Sequence, residues 1–197
     1  MTLDIFQWYL LIINVISFLL FSIDFFIYMR GGDGIKPAIL CEIVTIFGGP
    51  LGTTLAFFLW DRKLNKMNLT WRIFAITLLI IQVVIVAAIY GPHSVMVKQS
   101  ISDFLKDNKW ILIYLAMINL ITFIFFAVDK WKAMHGKWRI RILTLIGLAF
   151  AGGTIGGLAA MYLFRHKTTK PYFTFGLPMI LLAQVVLLVY LKSTGIK

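Results

Sequence analysis

Six apolar runs separated by short polar stretches organise this chain. Four of them, roughly 7–29, 71–91, 110–128 and 172–192, are unbroken. At about 1.5 Å per helical residue each is long enough to cross roughly 30 Å of hydrocarbon. Trp8, Trp71 and Trp110 stand near their starts, with Tyr90 and Tyr190 near their ends. Aromatic residues anchor helices at the membrane–water boundary in this way. The other two runs, about 37–60 and 141–164, carry glycine clusters at their centres: "FGGPLGTT" from Phe47 and "FAGGTIGG" from Phe150. Gly49-Pro50 disrupts a helix, so each run is read as a hairpin that enters the membrane and returns. Backbone broken at membrane depth has to be buried in protein or face water. Continuous helices packed closely through their glycines are the alternative, giving six spans.

Charge separates the two topologies. With hairpins, 14 of the 19 basic residues fall on one side, and only Lys98, Lys106, Lys109, Lys192 and Lys197 lie opposite. With six spans the split is 11 against 8. The positive-inside rule favours the sharper division, with basic loops cytoplasmic and both termini outside.

The runs also repeat. "YLLIINVISFLLFSID" from Tyr9 aligns without gaps onto "YLAMINLITFIFFAVD" from Tyr114, pairing Asn14 with Asn119 and Asp24 with Asp129. Gly48, Gly49 and Gly52 pair with Gly152, Gly153 and Gly156. Lys63 and Lys66 pair with Lys167 and Lys170, and Gln82 with Gln184. Hydrophobic similarity alone does not reproduce polar positions in order, so the chain is read as a duplication. The first repeat is 1–92, a linker covers 93–109, and the second repeat is 110–197. The expected fold is an all-α integral membrane protein of two tandem repeats, each with two spanning helices and a glycine-tipped re-entrant hairpin. Six spanning helices would instead form an inverted repeat, as in many carriers.

Composition agrees with this architecture. The 197 residues are 60% hydrophobic and 14% charged, whereas soluble domains run at about 45–50% and about 25%. The formal charge of +11 would raise nucleic acid in a soluble protein. In short loops between apolar runs it points to anionic lipid headgroups. Cys41 is the single cysteine, so no internal disulfide forms.

The second copy resembles a bacterial family known as domain of unknown function 1294. The resemblance rests on "DKWKAMHGKWRI" from Asp129, "GGTIGG" from Gly152 and "MYLFRHKTTKPYF" from Met161, and covers about 110–191. The first copy looks like a degenerate member. It keeps Asp24, the glycines, Lys63 and Lys66, and lacks most of the Arg-His-Lys-Thr string. Where the family usually reads Trp-Arg-Ile-Pro-Glu, this chain has Trp138-Arg139-Ile140-Arg141-Ile142. The family supplies no biochemical activity to carry over. Members that look fused to an amino-terminal cold-shock domain imply a cytoplasmic Asp-Lys segment.

Chemistry is expected at few positions. Arg165, His166, Lys167, Thr168 and Lys170 form the densest cluster, with Lys130 and Arg139 on the same side. Arg offers a bidentate fork, Lys a point charge and Thr a hydroxyl, which suits phosphate or carboxylate. Asp129 would pair with Arg165 or Lys167. Asp24, its counterpart, and Glu42, the one glutamate, are intramembrane or interfacial acids and so functional or paired by default. Gly48, Gly49, Gly52, Gly152, Gly153 and Gly156 would form the hairpin turns. Asn14, Asn119, Gln82 and Gln184 suit interhelical bonding, and Pro178 a kink. His135 and His166 lack a metal-ligand set. No phosphate-binding loop, nucleophile elbow or dinucleotide fingerprint is present.

These features point away from an enzyme and require neither cofactor nor metal. The expected protein is a small one of the bacterial cytoplasmic membrane. It would bind or translocate a small anionic or lipid-phosphate ligand at a basic, cytoplasm-facing site. The alternatives are a non-catalytic structural or interaction subunit, and a channel between the repeats. Expected partners are anionic lipids and a second copy or another membrane protein, and nucleic acid is not expected.

Overall fold

A computed structural model describes residues 4–30, 37–60, 69–91 and 108–193. Regular structure among them is helical: α1 (Ile5–Met29), α2 (Pro37–Ile46), α3 (Pro50–Leu59), α4 (Leu69–Tyr90), α5 (Lys109–Met134), α6 (Ile142–Leu148), α7 (Thr154–Leu163), α8 (Pro171–Thr174) and α9 (Gly176–Ser193). A π-turn, Ala149–Gly153, joins α6 to α7. The 93–107 part of the expected linker, and Lys63 and Lys66, lie outside the described residues.

Among the described residues, five helical segments are long and apolar enough to cross a membrane: Ile5–Ile27, Leu69–Tyr90, Lys109–Met134, Ile142–Leu163 and Pro171–Ser193. The fourth contains the π-turn. The four unbroken runs became helices within a few residues of expectation, apart from two details. α5 continues to Met134 instead of ending near 128, so Asp129, Lys130 and Lys132 are helical. Residues 127–134 include good helix formers, and Lys132 in the last turn complements the helix dipole. The last run is interrupted at Phe175, one turn before Pro178. Pro178 has no amide to give the Thr174 carbonyl, so the helix breaks there.

Two compact units divide the chain, residues 1–85 and 86–197. In the first, α2 and α3 have ten residues each, about 15 Å of helix, half a hydrocarbon core. Gly48 ends α2 with φ 117°, and the Gly49 amide bonds back to the Val44 carbonyl at 3.0 Å. This left-handed step needs glycine. Pro50 then opens α3 at a position where an amide would be unused. The Asn14 side chain on α1 secures the break. It donates to the carbonyls of Leu10 (2.7 Å) and Gly48 (2.9 Å) and accepts the Gly52 amide (3.0 Å). Tyr9 donates to the Phe47 carbonyl, and Gln82 on α4 to that of Gly48 at 2.9 Å.

The second unit makes a corresponding set of bonds. Asn119 on α5 donates to Leu115 (2.7 Å) and Gly152 (2.9 Å) and accepts the Gly156 amide at 2.7 Å. Tyr114 donates to Ala151, and Gln184 on α9 to Ala149 at 2.6 Å. Gly152 has φ 115°. A Cβ on Gly156 would lie 2.0 Å from the Asn119 carbonyl oxygen, and one on Gly52 1.9 Å from that of Asn14. The broken segments can therefore approach α1 and α5 only because these positions lack side chains. Such close backbone contact holds helices together where lipid is as apolar as the protein interior.

The interiors differ. The first unit buries a hydroxyl chain: Ser17 to Thr53 and Thr53 to Thr45 are each 2.6 Å apart, and Thr45 donates to the Cys41 carbonyl at 2.6 Å. Each hydroxyl proton has an acceptor, as burial away from water demands. At the aligned positions the second unit has Thr122, Ala149 and Gly157. Its core is instead built on Phe126 and Phe173, with ring centroids 5.4 Å apart.

Candidate functional site

The densest polar constellation in the second unit forms around one carboxylate. Asp129 lies nineteen residues past the Trp110 end of α5 and is fully buried. One oxygen accepts the Ile140 amide at 2.9 Å. The other accepts His166 Nε2 at 2.8 Å and Lys167 Nζ at 2.7 Å. A buried carboxylate is tolerated only with such compensation. Ile140 precedes α6, while His166 and Lys167 follow α7. Both ends of the broken segment therefore meet the same side chain, whereas its centre meets Tyr114 and Asn119.

Phe173 forms the floor. The Lys167 ammonium stands 4.8 Å from its ring centroid, within cation–π range. Burial pulls the Lys167 ammonium below the usual lysine value. Asp129 opposes that shift, and the positive charge of Arg139 adds to it. Arg139 thus belongs to the same electrostatic neighbourhood.

The turn after α7 is unusual in its backbone. Arg165 and Lys167 both adopt left-handed conformations, with φ 45° and 63°. For residues other than glycine this costs on the order of 1 kcal/mol each. Lys167 offsets its share through the ion pair. Arg165 does not: its side chain is exposed, and Asp129 pairs with His166 and Lys167 instead. Of the two expected partners of Asp129, Lys167 pairs with it and Arg165 does not; His166, which was not expected there, takes a second contact. The left-handed step at Arg165 is followed immediately by the histidine that reaches the carboxylate. Thr168 is partly buried, and its carbonyl accepts the Thr174 hydroxyl at 2.9 Å. Lys170 and Arg139 are exposed, and Lys130 is intermediate. Just before Arg139, the Trp131 ring lies tilted against His135 with centroids 4.6 Å apart and carries the Lys137 ammonium 4.5 Å from its centroid. Trp138 is 95% exposed.

Asp24 and Glu42 are partly exposed in the first unit. Arg62 and Lys63, which align with the His166–Lys167 region, lie outside the described residues. No group of three or more His, Cys, Asp or Glu side chains suited to a metal occurs among the described residues.

Sequence reading did not anticipate the Ile140 amide as a ligand of Asp129, or Phe173 beneath Lys167. A backbone donor leaves no side-chain signature, and Phe173 resembles any other apolar residue of its run. The roles of Asn14 and Asn119 were half legible, since amides repeated in step with a glycine cluster indicate a shared contact without naming it.

Comparison with known proteins places the second unit in context. The model of the family "Protein of unknown function (DUF1294)" matches residues 119–173, a span containing Asn119, Asp129, the glycines and the Arg-His-Lys-Thr turn. The chain is 39% identical over 75 residues to the uncharacterized protein YsdA of Bacillus subtilis (strain 168), covering 38% of this chain and 84% of YsdA. No solved structure matches it. On this similarity and on the motif that surrounds Asp129, the chain belongs to the DUF1294 family.

Proposed function

We propose that this is a bacterial cytoplasmic-membrane protein of two tandem re-entrant-hairpin units, whose second unit presents a basic rim to anionic lipid or a small phosphate-bearing ligand. The observation that carries the reading is the Asp129 clasp. By engaging His166 and Lys167 it gathers residues 139–140 and 165–170 at one end of α5. Arg139, Arg165 and Lys170 are left exposed there, with Lys130 nearby. Half-bilayer helix lengths in α2 and α3 and the matching Asn14 and Asn119 bonds support the hairpins and the duplication. Basic residues beside exposed Trp131 and Trp138 suit a headgroup layer, where each adds about 1 kcal/mol of attraction to an anionic surface. This orientation puts the rim in the cytoplasm and both termini outside.

Full engagement of Asp129 also favours a second reading, a non-catalytic structural or interaction subunit in which the motif serves only to lock the hairpin. Lipid analysis of the purified protein separates the two. The binding reading predicts that co-purifying lipid is richer in phosphatidylglycerol or cardiolipin than the source membrane, and that a triple R139A/R165A/K170A variant loses the enrichment while melting normally. Equal lipid composition in wild type and variant would leave only the structural role.

A further inference from the structure

The turn that closes α7 has a residue where its own geometry would accept glycine more readily. The amides of Phe164, Arg165 and His166 bond back to Ala160 (3.0 Å), Tyr162 (3.2 Å) and Met161 (3.0 Å). This is a helix end in which the left-handed residue is most often glycine. Here it is Arg165, with φ 45°. Its guanidinium is exposed and makes no ion pair among the described residues. A strained position occupied by a large, exposed cation points from structure toward binding.

The next residues supply complementary groups. The Lys170 amide bonds the Lys167 carbonyl at 3.1 Å, closing a tight turn. Inside that turn, the amides of Thr168 and Thr169 donate to no acceptor among the described residues. The same turn carries two threonine hydroxyls and the exposed Lys170, and Asp129 holds Lys167 at 2.7 Å. Donor groups of Arg165, Thr168, Thr169 and Lys170 thus fall within six consecutive residues, in a turn anchored at Lys167 by a buried ion pair.

We propose that the 165–170 turn is a cradle for a phosphate oxyanion. In it Arg165 supplies the fork, Thr168 and Thr169 their amides, and Lys170 a point charge. This rests on the basic-rim reading and narrows it to one turn and one chemical group. A carboxylate held by the fork has both oxygens engaged and only in-plane lone pairs left for further donors. A tetrahedral phosphate has oxygens left for the amides and the ammonium. The phosphate can belong to a lipid headgroup or to a soluble ester.

Titration of the full-length, detergent-solubilised protein tests the cradle. The probes are dihexanoyl phosphatidic acid, inorganic phosphate and hexanoate, followed by native mass spectrometry and by melting temperature. We expect the phosphatidic acid to bind at least tenfold more tightly than hexanoate. R165G should lose at least tenfold in that affinity while melting no lower than wild type, because glycine relieves the backbone. R165K should recover part of the loss. R141A, which removes an equal charge outside the turn, should change affinity less than threefold. Inorganic phosphate binding as well as phosphatidic acid identifies a soluble ester, and phosphatidic acid alone identifies a lipid; either supports the cradle. Unchanged affinity in R165G, or hexanoate binding as tightly as phosphatidic acid, overturns it. If R165G is silent while anionic lipids still co-purify, the cradle fails and the rim survives. If no anion binds and no anionic lipid co-purifies, both fail.

Discussion

Asp129→Asn removes one charge and almost no volume from the centre of the site. The amide oxygen still accepts the Ile140 backbone amide, so the perturbation falls on the His166 and Lys167 contacts at 2.8 and 2.7 Å. Removing one partner of a buried pair costs about 3–5 kcal/mol, because the other charge is left without compensation. The Lys167 side chain is 13% exposed, and a lysine can extend toward the interface. That relief places the expected loss near the lower end, about 3 kcal/mol. Unfolding in mixed micelles with increasing dodecyl sulfate, followed by circular dichroism, measures it. The partner variant Lys167→Met keeps an apolar stem over Phe173. The double variant should be less destabilised than the two single losses added together, by about 1–3 kcal/mol of coupling. A D129N loss below about 0.5 kcal/mol, the scale of an exposed pair, or strictly additive variants, would refute a buried clasp.

Four further outcomes follow from the same geometry. Gly156→Ala forces a Cβ to within 2.0 Å of the Asn119 carbonyl and should destabilise by more than about 3 kcal/mol. Gly147→Ala, where nothing lies within 4 Å, should be neutral or up to about 1 kcal/mol stabilising; melting temperatures in detergent distinguish them. Asn119→Leu discards three hydrogen bonds and leaves the Gly152 carbonyl and Gly156 amide unsatisfied, a loss of about 2–4 kcal/mol readable by the same micelle titration. For pH, the folded state holds the Lys167 proton less firmly than the unfolded chain does. The unfolded state therefore binds more protons below the ordinary value of 10.5. The Lys167 contribution to stability should rise with pH from its lowered pKa up to that value. Subtracting the pH profile of Lys167→Met isolates this rise, and a difference that falls with pH contradicts the burial.

Much of the helical architecture was legible because a bilayer restricts the choices. Long apolar runs must be helical there, and glycine with proline at mid-run marks where helices break. Boundaries were less legible where chemistry overrode hydropathy. α5 runs through Asp129 because that carboxylate is neutralised by partners 11 and 37–38 residues away in sequence, which local composition does not reveal. The same holds for His166 joining the expected Lys167 at Asp129 while Arg165 does not. Residue types allow any of the three to pair, and the left-handed steps at Arg165 and Lys167 that accompany the observed pairing carry no sequence signal. The hydroxyl chain of Ser17, Thr45 and Thr53 was not anticipated, since small polar residues scattered through apolar runs give no sign that they converge.

The hairpin at the centre of this account can be tested by cysteine accessibility. In a Cys41→Ala background, Lys137→Cys precedes α6 and Thr169→Cys follows α7, and both positions are exposed. A membrane-impermeant maleimide applied to right-side-out spheroplasts should label neither, and both should react once the membrane is opened. Labelling of one but not the other from outside would mean that residues 142–163 cross the membrane, and would contradict the re-entrant fold.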